Sequence, residues 1–155
     1  MIAETSRMPS TDAITPEHGS TVLIRRAAVL GAGTMGARIA AHLANAGVPV
    51  ALLDLASPGA ARSAIAVQAL ENLKKSKPAA FFDASLAARI TPGNFDDDLR
   101  LLSGCDWVIE AVTENLEIKQ ALLEKAAPHL KPDVILTTNT SGLPIASIAW
   151  FCRIT

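Results

Sequence analysis

The sequence predicts an α/β architecture, a parallel sheet wound with helices on both faces, and three observations carry that prediction. Short apolar runs of strand length alternate along the chain with helix-periodic stretches, the order that βαβ units require. Hydrophobic residues make up 50% of the chain, and alanine, leucine, isoleucine and valine carry nearly all of it, since there are two tryptophans, four phenylalanines and no tyrosine. Such small aliphatic side chains suit strands covered on both faces. The third observation is a glycine-rich turn, Gly31-Ala32-Gly33-Thr34-Met35-Gly36, at the junction of the first apolar run and the first helical stretch.

Taken in order, Ala27 to Leu30 reads as the first strand. Met35, Ile39 and Leu43 recur every four residues and give the next segment an apolar helical stripe, which Gly47 is placed to end. Val48 to Leu53 reads as a buried strand, its proline tolerated near the start. After Ser57-Pro58-Gly59 a long helical stretch is expected from Ala60 to Lys77, and a second helical piece from Ala79 to Arg89. Two helices exceed what one crossover needs, so part of this insertion is expected to project from the sheet. Ile90-Thr91-Pro92 reads as a short edge strand and Asp98 to Ser103 as a brief helix. Trp107 to Val112 is the next strong strand, and Asn115 is suited to cap a helix from Leu116 to Ala127. Val134 to Thr138 forms a fifth strand, followed by a loop and a short helix near Ile145.

The glycine turn has a chemical reading in this context. Gly31 permits a tight strand-to-helix turn, Gly33 lets backbone approach a pyrophosphate, and Gly36 lets the helix pack closely on its strand. Thr34 and Met35 open the helix, whose N-terminus offers unpaired N–H donors to phosphate. Asp54, about 20 residues on at the carboxyl end of the second strand, is placed to accept from a ribose hydroxyl pair. These features imply a Rossmann-like, doubly wound sheet that binds a dinucleotide, with a helical insertion after its second strand. Residues 1–24 are polar and proline-containing and read as a mobile extension before a nucleotide-binding domain at 25–155.

Composition narrows the function further. At 155 residues the chain is about one domain long, and its net charge of −1 gives no basis for nucleic-acid binding. No apolar run approaches the ~20 residues of a membrane span, and the N-terminal stretch has no secretory apolar core. Cys105 and Cys152 have neither metal-site nor redox-motif spacing, so they read as free thiols in a reducing cytoplasm, with no metal site. His18, His42 and His129 read as ordinary exposed histidines.

Three more candidates lie just past strand ends. Glu114 is placed to accept from a cofactor hydroxyl, with Lys119 five residues on near a helix start; a solvated helix-end pair is the alternative. Ser141, before a glycine in a loop, fits either a site residue or plain turn chemistry.

With these segments in view the chain resembles the N-terminal, NAD-binding domain of 3-hydroxyacyl-CoA dehydrogenases. The resemblance rests on residues 28–36, Ala40 to Ala44, Val50 to Asp54, Val108 to Asn115 and Thr138 to Ser141, and covers roughly 25–149. It implies NAD as cofactor, NAD-dependent oxidation of a 3-hydroxyacyl-CoA, and a place in fatty acid β-oxidation. By that likeness Asp54 would bind the adenosine ribose, and its charge would repel the extra phosphate of NADP. Glu114 and Lys119 would touch the cofactor, and Ser141 would hydrogen-bond near nicotinamide and substrate oxygen. The lysine-rich helix end from Lys74 to Lys77 resembles the region that meets CoA.

The family pattern continues with a sixth strand bearing a His-Phe-Phe-Asn-Pro motif, whose histidine is the general base, and with a helical domain that completes the substrate cleft and the dimer. This sequence carries neither, and its last residues, Ala149 to Thr155, depart from the pattern. The expectation is therefore a sheet incomplete at its C-terminal edge, covered in part by Trp150 and Phe151, and a cofactor-binding half inactive alone, because loss of a general base costs about 10²–10⁴ in rate. Oligomerisation and acyl-CoA binding are expected of the intact enzyme only. The competing expectation is a stand-alone module that senses NAD or pairs with another chain.

Overall fold

The computed structural model describes residues 22–148. Five strands form one all-parallel sheet: β1 (Ala27–Leu30), β2 (Val50–Asp54), β3 (Ile90–Asn94), β4 (Trp107–Glu110) and β5 (Ile135–Thr138). Their spatial order is β3-β2-β1-β4-β5. The helices are α1 (Thr34–Asn45), α2 (Ala64–Lys74), α3 (Leu116–Ala126) and the short α4 (Ile145–Ile148). Turns of 3₁₀ helix lie at Ala84–Arg89, Leu99–Gly104 and Ala127–His129. The chain builds outward from β1 to β3, then crosses back to place β4 on the other side of β1. That reversal opens a crevice past the carboxyl ends of β1 and β4, the position where such sheets bind ligands.

Alternation along each strand divides the core into two layers. Ala27 and Val29 of β1 pack on one face with Ala40 and Ala44 of α1 and Leu70 of α2. Ala28 and Leu30 pack on the other with Leu99, Leu102, Leu122 and Ala126. All four β1 residues are fully buried. This is the two-sided cover that the apolar runs predicted.

Several elements differ from their sequence-based expectations. The buried face of α1 is Ala37, Ala40, Ala41, Leu43 and Ala44, while Ile39 is partly buried and Met35 exposed. Alanines make up most of the core face, and Met35 instead overhangs the crevice. The expected 60–77 helix is confined to α2, since the Ser57 N–H bonds Arg62 O at 2.8 Å in a loop and Pro78 disfavours helix at the residue before it. The expected 79–89 helix is only the 3₁₀ segment at its end, and part of the insertion packs onto the core. Phe81 and Ala87 join the core, and Asn45 holds the passage through its Nδ2 on Ala80 O (2.9 Å) and its Oδ1 on Phe82 N (3.1 Å).

The edge strand β3 runs on to Asn94, with Pro92 opposite Leu52 and, among the described residues, no strand beyond it to require a donor. The strands β2 and β4 are shorter than expected at one end each. Asn115 caps α3 as predicted, its Oδ1 accepting from Ile118 N at 3.1 Å. Among the described residues β5 pairs on one side only, with β4, and its residues alternate between exposed and half-buried. Cys105 is buried, and burial pushes its thiol up to about 11. The expected N-terminal extension up to residue 21, His18, Cys152 and the Trp150–Phe151 cover all lie outside the described residues. No helix among the described residues is long and apolar enough to cross a membrane, and no cluster of His, Cys, Asp or Glu among them could hold a metal ion.

Candidate functional site

The glycine turn builds one wall of the crevice. Gly31 has φ +112°, a left-handed backbone, and a Cβ there would lie 2.7 Å from Ala111 O. A Cβ on Gly36 would sit 1.9 Å from Gly31 O, so only glycine lets α1 start this close to β1. At Gly33 a Cβ would meet nothing within 4 Å, because this residue faces open space. The first helical bond of α1 runs from Ala37 N to Gly33 O at 2.9 Å, and no side chain among the described residues caps the helix. The N–H groups of Thr34, Met35 and Gly36 therefore stand outside the helix's own ladder, at the positive end of its dipole.

Asp54 ends β2 and reaches back to this turn. Its Oδ2 accepts from Ala32 N at 2.5 Å and its Oδ1 from Leu55 N at 2.6 Å. Each oxygen keeps a second lone pair for a further donor.

Two adjoining cavities lie past the strand ends. One, of about 530 Å³, is bordered by Asp54, Leu55, Phe95, Ile118 and Lys125. The other, of about 460 Å³, is bordered by Thr34, Met35, Glu114, Asn139 and Thr140. They share Gly33, Ala111, Val112 and Thr113, so the groove has two lobes joined at the glycine turn. A dinucleotide has that shape, two nucleosides joined by a pyrophosphate, and the open face of Gly33 lies where the pyrophosphate would fall. At the rim of the larger lobe, the Lys125 ammonium sits 2.6 Å from Asp96 and holds that carboxyl below its usual range.

The other predicted site residues divide. Glu114 is exposed and borders the smaller lobe, its Oε1 accepting from Thr140 Oγ1 at 3.2 Å. Ser141 is exposed in the adjoining loop, next to Gly142, where a Cβ would lie 3.2 Å from Glu114 Oε2. Lys119 requires a correction. It is buried rather than solvated or on the groove, and it pairs with Glu110 instead of Glu114, at 2.7 Å and 2.9 Å to the two carboxylate oxygens. Its third hydrogen bond goes to Val112 O at 3.1 Å, so its three protons are all engaged within the protein. The lysine-rich end of α2 lies beside a third cavity of about 660 Å³ between α1 and α2, bordered by Arg38, Gln68, Asn72 and Ser76 and reaching the glycine turn at Gly33 and Thr34. His42 is exposed and His129 half-buried rather than exposed, and neither borders either lobe.

Sequence reasoning passed over Glu110, Thr138 and Thr140 as side chains with their own roles. The signal was present in Glu110: a carboxylate inside an otherwise apolar strand must find a partner when that strand is buried.

Sheet order, glycine turn and two-lobed groove together define a dinucleotide-binding α/β domain. The chain belongs to the 3-hydroxyacyl-CoA dehydrogenase family, as its NAD-binding domain. The family model described as "3-hydroxyacyl-CoA dehydrogenase, NAD binding domain" matches residues 26–153. A probable 3-hydroxyacyl-CoA dehydrogenase of Deinococcus radiodurans is 47% identical over 123 residues, covering 79% of this chain and 36% of that protein. One from Bacillus subtilis is 42% identical over 141 residues, covering 81% of this chain and 18% of that protein. Among solved structures, 3-hydroxybutyryl-CoA dehydrogenase from Escherichia coli is similar with a TM-score of 0.68 and 32% identity, over 83% of this chain and 27% of that one. The chain thus spans 18% to 36% of the length of these three relatives.

Proposed function

We propose that these residues hold NAD for the reversible oxidation of a 3-hydroxyacyl-CoA, and that the 155-residue chain by itself binds the cofactor without turning substrate over. The single observation behind this reading is the two-lobed groove, with Asp54 in one lobe, Glu114 in the other and the glycine turn at their junction. Bound NAD supplies a hydride acceptor. The protein's part is to hold it and to orient the substrate. The Asp54 carboxylate accepts from the adenosine ribose hydroxyls and opposes a 2′-phosphate. Backbone N–H groups at the start of α1 meet the pyrophosphate. Leu55 and Ile118 offer apolar surface to the adenine. Glu114 accepts from the second ribose, and the Ser141 hydroxyl reaches the reacting region.

Lack of turnover is proposed because neither His42 nor His129 borders the groove, and no other described residue there is a histidine able to take the hydroxyl proton. A module that pairs with another chain carrying the base shares this observation and differs only in needing that chain.

Calorimetry with NADH and NADPH tests the binding, and a coupled assay with acetoacetyl-CoA and NADH tests the turnover. One-to-one NADH binding, weaker NADPH binding and no NADH oxidation are expected. Absence of NADH binding at millimolar concentration contradicts the reading of the groove, and steady oxidation contradicts the inactivity.

A further inference from the structure

We propose that the buried carboxylate of Glu110, held by Lys119, is a positioning residue that sets the two loops of the smaller lobe relative to each other, and with them the nicotinamide half of the cofactor. This rests on the reading of the groove as an NAD site. Glu110 is the last residue of β4 and is fully buried, as is Lys119 within 1%. The Oε1 atom accepts from Val112 N (2.7 Å) and from Lys119 Nζ (2.7 Å). The Oε2 atom accepts from Lys119 Nζ (2.9 Å) and from Thr138 Oγ1 (2.5 Å). Thr138 Oγ1 in turn accepts from Thr140 N at 3.2 Å.

Every one of these links leads to a lining segment. Val112 belongs to the loop after β4, which carries Thr113 and Glu114, and Thr140 to the loop after β5, which precedes Ser141. Glu110 and Lys119 line neither lobe themselves. The carboxylate thus joins the ends of β4 and β5 to the first turns of α3 through directional bonds. Apolar packing at the same place fills volume just as well, and a buried ion pair often adds no stability over it. What packing lacks is direction: it does not hold two loop backbones at set distances from one another.

The α3 arm of this network also carries Ile118 and Leu122 of the Asp54 lobe, whereas the arm through Thr138 and Thr140 reaches the smaller lobe alone. That asymmetry gives the test. Binding of NADH and of AMP to the 155-residue chain is compared by titration in wild type, Thr138→Val and Thr138→Ser, with thermal unfolding measured alongside. Valine keeps the shape and strand propensity of threonine but removes the link from Glu110 to Thr140. The expected result for T138V is NADH binding weakened by about threefold to tenfold, the worth of one hydrogen bond, with AMP binding unchanged and T138S restoring NADH affinity. Should T138V fail to fold, Thr138→Ala, which removes the same hydroxyl, is expected to show the same selective loss. Equal losses for NADH and AMP, or no loss of NADH affinity, overturn the proposal. A wild-type chain that binds neither probe overturns it together with the NAD reading, whereas wild-type binding with an unaltered T138V overturns it alone.

Discussion

Two neighbouring parallel strands on either side of β1 each end in a carboxylate, and the two groups have opposite surroundings. Asp54 at the end of β2 is half-buried and, among the described residues, accepts from two backbone N–H groups. Glu110 at the end of β4 is fully buried and accepts from a backbone N–H, an ammonium and a hydroxyl. The difference comes from the path the chain takes on leaving each strand. Past β2 it departs from the sheet toward the exposed Leu55, so Asp54 keeps acceptor capacity open to the groove. Past β4 the loop 111–115 folds back into α3, which delivers Lys119 into the interior beside Glu110. A strand-end acid at the crevice is therefore not by itself a ligand-binding acid. On the proposed reading one of these meets a ligand, and the other holds the walls.

The largest effect that sharpens this contrast is on stability. Lys119→Ala leaves the Glu110 carboxylate buried without its cation and is expected to destabilise the fold by about 3–5 kcal/mol in urea denaturation. Asp54→Ala removes a half-exposed group and is expected to cost no more than about 1.5 kcal/mol in the same experiment. For NADH affinity, Asp54→Ala is expected to lower binding about tenfold to a hundredfold, because charge-assisted bonds to the ribose are lost. Equal stability losses for the two variants would erase the distinction between them.

The smallest effect lies at the opposite end of the sheet. Asp106 accepts from Lys131 Nζ at 2.5 Å and from the backbone N–H of Arg25 at 2.7 Å and Arg26 at 3.1 Å, tying the start of β1 to β4. The Lys131 ammonium first, and then the Arg25 N–H, hold its carboxyl at about 2. The folded-state value lies below the unfolded value of about 3.9, so the stabilisation is complete above that pH and is lost as pH falls toward 2. Thermal midpoints of Asp106→Asn measured down the acid limb are expected to fall less steeply in that window than those of wild type. Parallel curves would show that Asp106 does not govern the limb.

Much of this was legible in the residues. The glycine turn, Asp54 and the Asn115 cap each rest on local chemistry, a turn, a strand end or a helix start, and each lies where its spacing indicated. The insertion between β2 and β3 was harder to read, because Ala60 to Arg89 is rich in helix formers, and the turns at Ser57–Arg62 and near Pro78 decide where helix actually forms. The α1 stripe held only in part. Helical spacing picks out Met35, Ile39 and Leu43; Leu43 is in the core and Ile39 packs against it, but Met35 is exposed and alanines fill most of the buried face. Lys119 was misassigned because its partner is set by the β4–α3 approach, and sequence separation favoured Glu114. A strand acid and a helix lysine nine positions apart meet only when the loop between them folds back.

Amide NMR of the 155-residue chain titrated with NAD tests the central claim most directly. The account predicts one saturable set of shifts in both lobes, at Met35, at Leu55, from Val112 to Glu114, and from Asn139 to Ser141. Shifts confined to the cavity between α1 and α2, or none at saturating cofactor, would contradict it.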